Sequence, residues 1–291
     1  MRLANFDDGG GDRLGVVDEG GIIDLVAADP TLPKTVQALL TAGRDAMEAV
    51  KAVARGADRR LSLDSVRLRP PIPRPGKFLA VGLNYREHVA ELKKPMPSFP
   101  STFAKMTSSI VGPRDAVWRP RISDTLDYEG ELAFVIARRC RHVPKARARE
   151  VIAGYLVAND FTVREWVGLA EQIVPAKSFD TTGPIGPWLV TADAVPDPHR
   201  LRIRTAVNGE TRQDGSTADM IFDCYRLVEI LSQAMTLEPG DIVTTGTPKG
   251  VGQGFSPPRY LKPGDLVTVE IEGIGMLSNP IIDEPAMAAS P

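Results

Sequence analysis

A predominantly β, α+β fold is what this 291-residue sequence predicts, on three observations. Its 25 Pro and 26 Gly are spread along the chain rather than gathered in tracts, which implies many turns and hence many short strands. Its apolar runs are mostly strand-length, and few segments sustain helical spacing. Hydrophobic residues at 43% and charged residues at 25% are those of a chain that buries a large core.

The elements follow in order. Residues 1–28 read as short strands with glycine turns: Arg13 to Val17, a turn at 18–21, then Ile22 to Leu25. From Thr35 to Arg55, Val36, Leu39, Leu40, Met47, Val50 and Val53 recur on one helical side. The proline-rich stretch 69–76 can be neither helix nor central strand. It divides the chain into a small N-terminal αβ domain, 1–70, and a catalytic domain, 71–291. No chemistry is evident in the first, which reads as a structural or oligomerisation module.

Lys77 to Leu83 predicts a buried strand that delivers residues 84–91 into a short helix. On that helix His88 and Glu91 are neighbours at i and i+3, and a carboxylate beside an imidazole builds a general base near neutral pH. A surface His–Glu pair has the same spacing. His142, in a basic run, and His199, after Asp197-Pro198, carry no functional expectation. Residues 92–112 are rich in Pro, Ser and Lys, with Phe99, Phe103 and Met106 interspersed, and predict a mobile active-site lid.

In 127–136, Glu129 and Glu131 enter the unbroken apolar run Leu132 to Ile136. Alternation on a strand puts both on one face, with Cα atoms ~7 Å apart. Such carboxylates raise each other's pKa unless a cation lies between them, and their oxygens suit Mg²⁺, Ca²⁺ or Mn²⁺. A solvated strand end would also carry this pattern. Asp160, at the end of the apolar stretch 154–159, supplies a third oxygen ligand.

Phe161 to Ile173 predicts a helix with Arg164 in its first turn, followed by a loop at 175–184 and a strand at 188–190. Leu201 to Val207, the Asn208-Gly209 turn and Glu210 to Gln213 predict a hairpin. Asp223 to Met235 predicts an amphipathic helix. Asp241 to Thr245 predicts a strand running into the glycine-rich loop 246–252, a rigid substrate-contacting turn that includes Gly246 and is no Walker A loop. Leu266 to Ile271 reads as the last long strand.

A net charge of −2 gives no electrostatic footprint for nucleic acid or an anionic membrane. No apolar run reaches a membrane span, and the first eight residues lack the apolar core of a signal peptide. Cys140 and Cys224 are far apart, as in a cytoplasmic protein with incidental thiols.

Five motifs in order resemble the fumarylacetoacetate hydrolase family: V-G-L-N-Y-x-x-H at 81–88, E-G-E-L at 129–132, N-D-F-T-x-R at 159–164, K-S-F-D-T at 177–181 and T-G-T-P-K-G-V-G at 245–252. The resemblance covers roughly residues 77–282. It implies the family's mixed β-sandwich roll, a homodimer, and Mg²⁺ or Mn²⁺ in the site, with Ca²⁺ as an in vitro substitute. By motif position it implies Glu129, Glu131 and Asp160 as metal ligands and His88 with Glu91 as catalytic base. Lys177 would face substrate or metal, and Tyr85, Arg164, Thr247 and Gly246 would contact substrate. The family often reads F-x-K-P where this chain has Phe103-Ala104-Lys105-Met106. The tail 257–265 is similar to that of members acting on small 2-oxo acids and diketo acids.

The expected chemistry is metal-dependent hydrolysis of a C–C bond in an acylpyruvate-like or diketo acid. The metal stabilises an enolate, and the His88–Glu91 pair activates water. The same intermediate serves a decarboxylase, or a keto–enol tautomerase or isomerase, acting on oxaloacetate or a 2-hydroxy-dienoate dicarboxylate. A non-catalytic Ca²⁺-binding scaffold is the reading from another class, and such a site has no need of a base beside it.

Overall fold

The computed structural model describes residues 1–169 and 171–286. Two β-sheets pack face to face in it, a mixed, mainly antiparallel sheet and a smaller one, so the predominantly β fold and its sandwich are borne out. The large sheet runs, edge to edge, through Gly21–Asp24, Asp12–Asp18, Arg2–Asp7, Gly183–Thr191, Ile152–Asn159, Gly130–Ile136, Ile242–Thr244, Phe78–Gly82 and Ser101–Ala104. The smaller runs through Glu210–Ser216, Arg202–Val207, Leu266–Ile271, Gly275–Asp283 and Val117–Arg119.

Gly130–Ile136 is central and wholly buried, which is why its sequence is an apolar run rather than an alternation. Leu132, Phe134 and Ile136 face a core shared with Ile203, Val269 and Leu277 of the smaller sheet and Leu227, Val228 and Leu231 of the Cys224–Ala234 helix. Ala133 and Val135 face a second core with Leu39, Leu40 and Val50 of the N-terminal helices. Strand alternation then carries Glu129 and Glu131 toward one side of the sheet. Register places Gly130 against Asn159, so Asp160 arrives beside Glu129, and its N–H donates to the Glu129 carbonyl at 2.9 Å.

Several sequence expectations are revised. The N-terminal strands extend the large sheet itself: Arg2 and Leu3 pair with Val190 and Leu189, on the far side of the proline-rich stretch. The helix expected over 35–55 breaks at Gly43, whose φ of 85° no helix contains, into Val36–Ala42 and Arg44–Gly56. Within the expected lid, Ser101–Ala104 is a strand on Phe78–Gly82, and Ile110–Val111 pairs parallel to Gly183–Thr191. Tertiary pairing there overrides a loop-like composition. Among the described residues the helix expected over 161–173 shrinks to Arg164–Val167, because Thr162–Val163 pairs with Leu126–Asp127; residue 170 of that range lies outside them. A further strand, Gly275–Asp283, follows the expected last one; Pro280 masks it in sequence. Among the described residues no helix is long and apolar enough to cross a membrane.

Candidate metal centre and active site

Carboxylate oxygens of Glu129, Glu131 and Asp160 all lie within 4.8 Å of one another, and the three residues are 6%, 1% and 2% exposed. Three buried negative charges at this spacing need positive charge, and three cationic side chains surround them. The Lys177 ammonium donates to Glu129 Oε2 and Asp160 Oδ2, each at 2.7 Å. Arg164 meets Glu129 Oε1 at 2.7 Å, and Lys105 donates to Asp160 Oδ1 at 2.7 Å. Burial pushes the Glu129 carboxyl up, and Lys177 followed by Arg164 overrides it, holding it at about 2.

Glu131 differs. Its Oε2 accepts from the Gly246 N–H at 2.8 Å, and among the described residues no ammonium or guanidinium pairs with it. Burial, then the charges of Asp160 and Glu129, push its carboxyl well above the usual range. A carboxylate left uncompensated at the centre of an all-oxygen donor set is what a hard divalent cation fits.

His88, 4% exposed, sits on the short Arg86–Glu91 helix, with Nδ1 at 2.9 Å from Glu91 Oε2. A carboxylate only accepts, so Nδ1 carries the proton and Nε2 is left as an acceptor. Glu91 Oε1 accepts from the Gly250 N–H at 2.8 Å, which fixes the carboxylate from its other side. His88, when protonated, lowers the pKa of Glu129, so dyad and triad share one electrostatic neighbourhood. Asn84 holds the start of the helix in place. Its amide donates to the Thr245 and Phe222 carbonyls at 2.7 and 3.0 Å and accepts from the Phe222 N–H at 2.8 Å.

The residues expected to contact substrate are placed close by, with protein partners. Arg164 is drawn into the carboxylate cluster, donating to Asp127 Oδ2 at 2.7 Å as well as meeting Glu129. The Thr247 hydroxyl donates to the Gly130 carbonyl at 2.9 Å and accepts from Gln213 at 2.7 Å. Tyr85 is the exception: it is fully buried, its hydroxyl has no hydrogen-bond partner among the described residues, and burial raises its pKa well above the usual value.

Lys105 and Asp127 escaped the sequence reading. Lys105 also donates to the Lys177 carbonyl and, at 3.3 Å, to that of Thr182, and it lay hidden in the stretch read as lid. Phe103, two residues earlier, lays its ring 5.5 Å from the Lys177 ammonium. Asp127 was legible by alternation, since 127, 129 and 131 share a face.

Comparison with known proteins agrees with this geometry. The family model described as fumarylacetoacetate (FAA) hydrolase C-terminal matches residues 77–282. The chain is 40% identical to "Oxaloacetate tautomerase fahd2, mitochondrial" of Xenopus laevis over 97% of this chain and 90% of that one. It is similar in structure to maleylpyruvate hydrolase from Sphingobium sp. SYK-6 in complex with manganese (II) ion and pyruvate, with TM-score 0.83, 34% identity, and 98% and 100% of the two chains covered. It is likewise similar to 5-carboxymethyl-2-hydroxymuconate delta-isomerase from Mycobacterium smegmatis, with TM-score 0.78, 35% identity and the same coverage. With a family model matched across residues 77–282 and relatives 34–40% identical over nearly the whole chain, the chain belongs to the fumarylacetoacetate hydrolase family.

Proposed function

We propose that the chain hydrolyses a C–C bond in an acylpyruvate-like or diketo acid, with a divalent cation, Mg²⁺ or Mn²⁺, as cofactor. The observation that carries this reading is a buried triad of carboxylates beside an imidazole already oriented by a carboxylate. Held by Glu129, Glu131 and Asp160, the cation supplies Lewis-acid polarisation of a 2-oxo carboxylate. The chain's own groups do the rest. His88 Nε2 takes a proton from water as the water attacks the second carbonyl, while Glu91 stabilises the imidazolium. The C–C bond breaks, its electron pair leaves on the 2-oxo fragment as an enolate, and protonation gives the free 2-oxo acid. Lys177 adds fixed positive charge beside that enolate.

A second reading is keto–enol tautomerisation of an oxaloacetate-like diacid, favoured by the identity shared with the Xenopus tautomerase. The same dyad then carries a proton between carbon and solvent, and no bond between carbons breaks. An acylpyruvate and oxaloacetate, each incubated in D₂O with Mn²⁺ or with EDTA, separate the two. We expect Mn²⁺-dependent release of pyruvate and a carboxylic acid from the acylpyruvate, lost in His88→Ala. Deuterium entering C3 of oxaloacetate above the uncatalysed rate, without release of pyruvate or CO₂, makes the second reading the better one. No Mn²⁺-dependent change in either substrate overturns both.

The working assembly in this proposal is a cytoplasmic homodimer. Free Cys140 and Cys224 suit a reducing compartment, and exposed Phe99, Ile122 and Met276 offer apolar surface to a second copy. Sedimentation of a monomer at micromolar concentration would remove the dimer from it.

A further inference from the structure

Asp127 is a fully buried carboxylate with every contact made inside the protein. Its Oδ2 accepts from Arg164 Nε at 2.7 Å and the Gln253 N–H at 3.0 Å. Its Oδ1 accepts from the Gly252 N–H at 2.7 Å and the Tyr128 N–H at 2.9 Å. Two lines of contact leave this one group. Through Arg164 it reaches Glu129 Oε1, a ligand of the cation site. Through the loop 250–254 it reaches the dyad, because the Gly250 N–H holds Glu91 Oε1 and Glu91 Oε2 holds His88. The Tyr128 hydroxyl, next in sequence to Asp127, closes the circuit by donating to the Gly250 carbonyl at 2.9 Å.

The loop is clamped between the two carboxylates, and its composition reflects this. A Cβ on Gly252 would lie 2.5 Å from both Asp127 Oδ1 and the Arg259 carbonyl oxygen, and one on Gly254 would run into the Glu91 carboxylate closer than any real Cβ contact. Neither glycine has a positive φ, so what is required at both is space.

We infer that Asp127 is a positioning residue that couples the placement of the metal ligand Glu129 to the orientation of the proton-carrying pair Glu91–His88. It touches neither substrate nor cation and sets the geometry of both through Arg164 and the glycine loop. The coupling rests on the proposed function only in its effect on turnover; its effects on cation affinity and on the His88 ring are independent of any reaction.

Calorimetry with Mg²⁺ and ¹⁵N chemical shifts of the His88 ring in Mg²⁺-loaded protein test it. Asp127→Asn keeps the size of the group and removes the charge that anchors Arg164. It should lower Mg²⁺ affinity about 10–100-fold, the usual cost of losing an outer partner of a ligand. It should also move the Nδ1 resonance of His88. In the double variant with Arg164→Gln the affinity losses should not multiply, because both act along one line. Gly252→Ala, which adds a methyl and buries no new charge, should reproduce both effects. Gly254→Ala should move the His88 resonance and leave Mg²⁺ affinity unchanged. If Asp127→Asn does not fold, the two glycine variants decide alone. Unchanged Mg²⁺ affinity in Gly252→Ala, an unmoved His88 resonance there, or multiplying losses in the double variant would each overturn the coupling. Absence of turnover on every 2-oxo acid tried, with these signatures present, would count against the reaction and leave the coupling standing.

Discussion

Glu131→Gln offers a test whose sign is opposite to that of most buried substitutions. Glu131 is 1% exposed, lies within reach of Glu129 and Asp160, and has no cationic partner among the described residues. Glutamine keeps its shape and can still accept the Gly246 N–H at the Oε2 position, while removing the charge that burial and the two neighbouring carboxylates penalise. The raised pKa sets the pH dependence. Unfolded, the carboxyl titrates near ~4.3; folded, it titrates higher. The Glu131 carboxyl therefore costs the metal-free protein nothing below ~4.3, and its contribution falls as pH rises from there through the folded value, by about 1.4 kcal/mol for each pH unit that separates the two. At neutral pH in EDTA the variant should gain at least about 1 kcal/mol, a rise in Tm of roughly 2 °C for a chain of this length. Cation binding reverses the ranking. Wild type at 100 times Kd gains about 2.7 kcal/mol from Mn²⁺, and the variant, short of one ligand, should gain little. Scanning calorimetry at several pH values, with EDTA and with Mn²⁺, reads both effects. A variant less stable than wild type in EDTA, yet still stabilised by Mn²⁺, would refute the view that Glu131 is the uncompensated member of a cation site.

Three further outcomes are expected. His88→Ala should lose two to four orders of magnitude in kcat, the usual worth of a general base, with Mg²⁺ affinity by calorimetry nearly unchanged; near-wild-type turnover would remove His88 from the mechanism. Asp223→Ala deletes the N-cap of the Cys224–Ala234 helix, where Asp223 accepts from the Arg226 N–H at 2.8 Å, and should cost about 1 kcal/mol in urea unfolding. Gly43→Ala forces an L-residue to a φ of 85° and should destabilise by about 1–3 kcal/mol with no loss of cation affinity; since nothing lies within 4 Å of the added Cβ, a neutral result would mean that the two helices re-join across the break.

Much of the site is written in local sequence because its carboxylates obey strand alternation. Glu129 and Glu131 face one way by period two, Asp160 closes a strand of continuous apolar residues, and His88 and Glu91 meet by helical spacing; in each case a few adjacent residues hold all the information. The buried apolar runs and the Asn208-Gly209 turn fix strands and a hairpin in the same local way. What pairs with those strands is set at long range. Arg2 and Leu3 join Leu189 and Val190, and Ser101–Ala104 becomes a strand only because Phe78–Gly82 offers an open edge. Charge compensation is longer in range still. Lys105 lies 55 residues from Asp160, and Lys177 lies 48 from Glu129. An ammonium inside the protein looks in sequence like any surface lysine, because its partners come from other strands. Folding alone decides which positive charges enter the cluster, and hence that Glu131 is the carboxylate left for a cation.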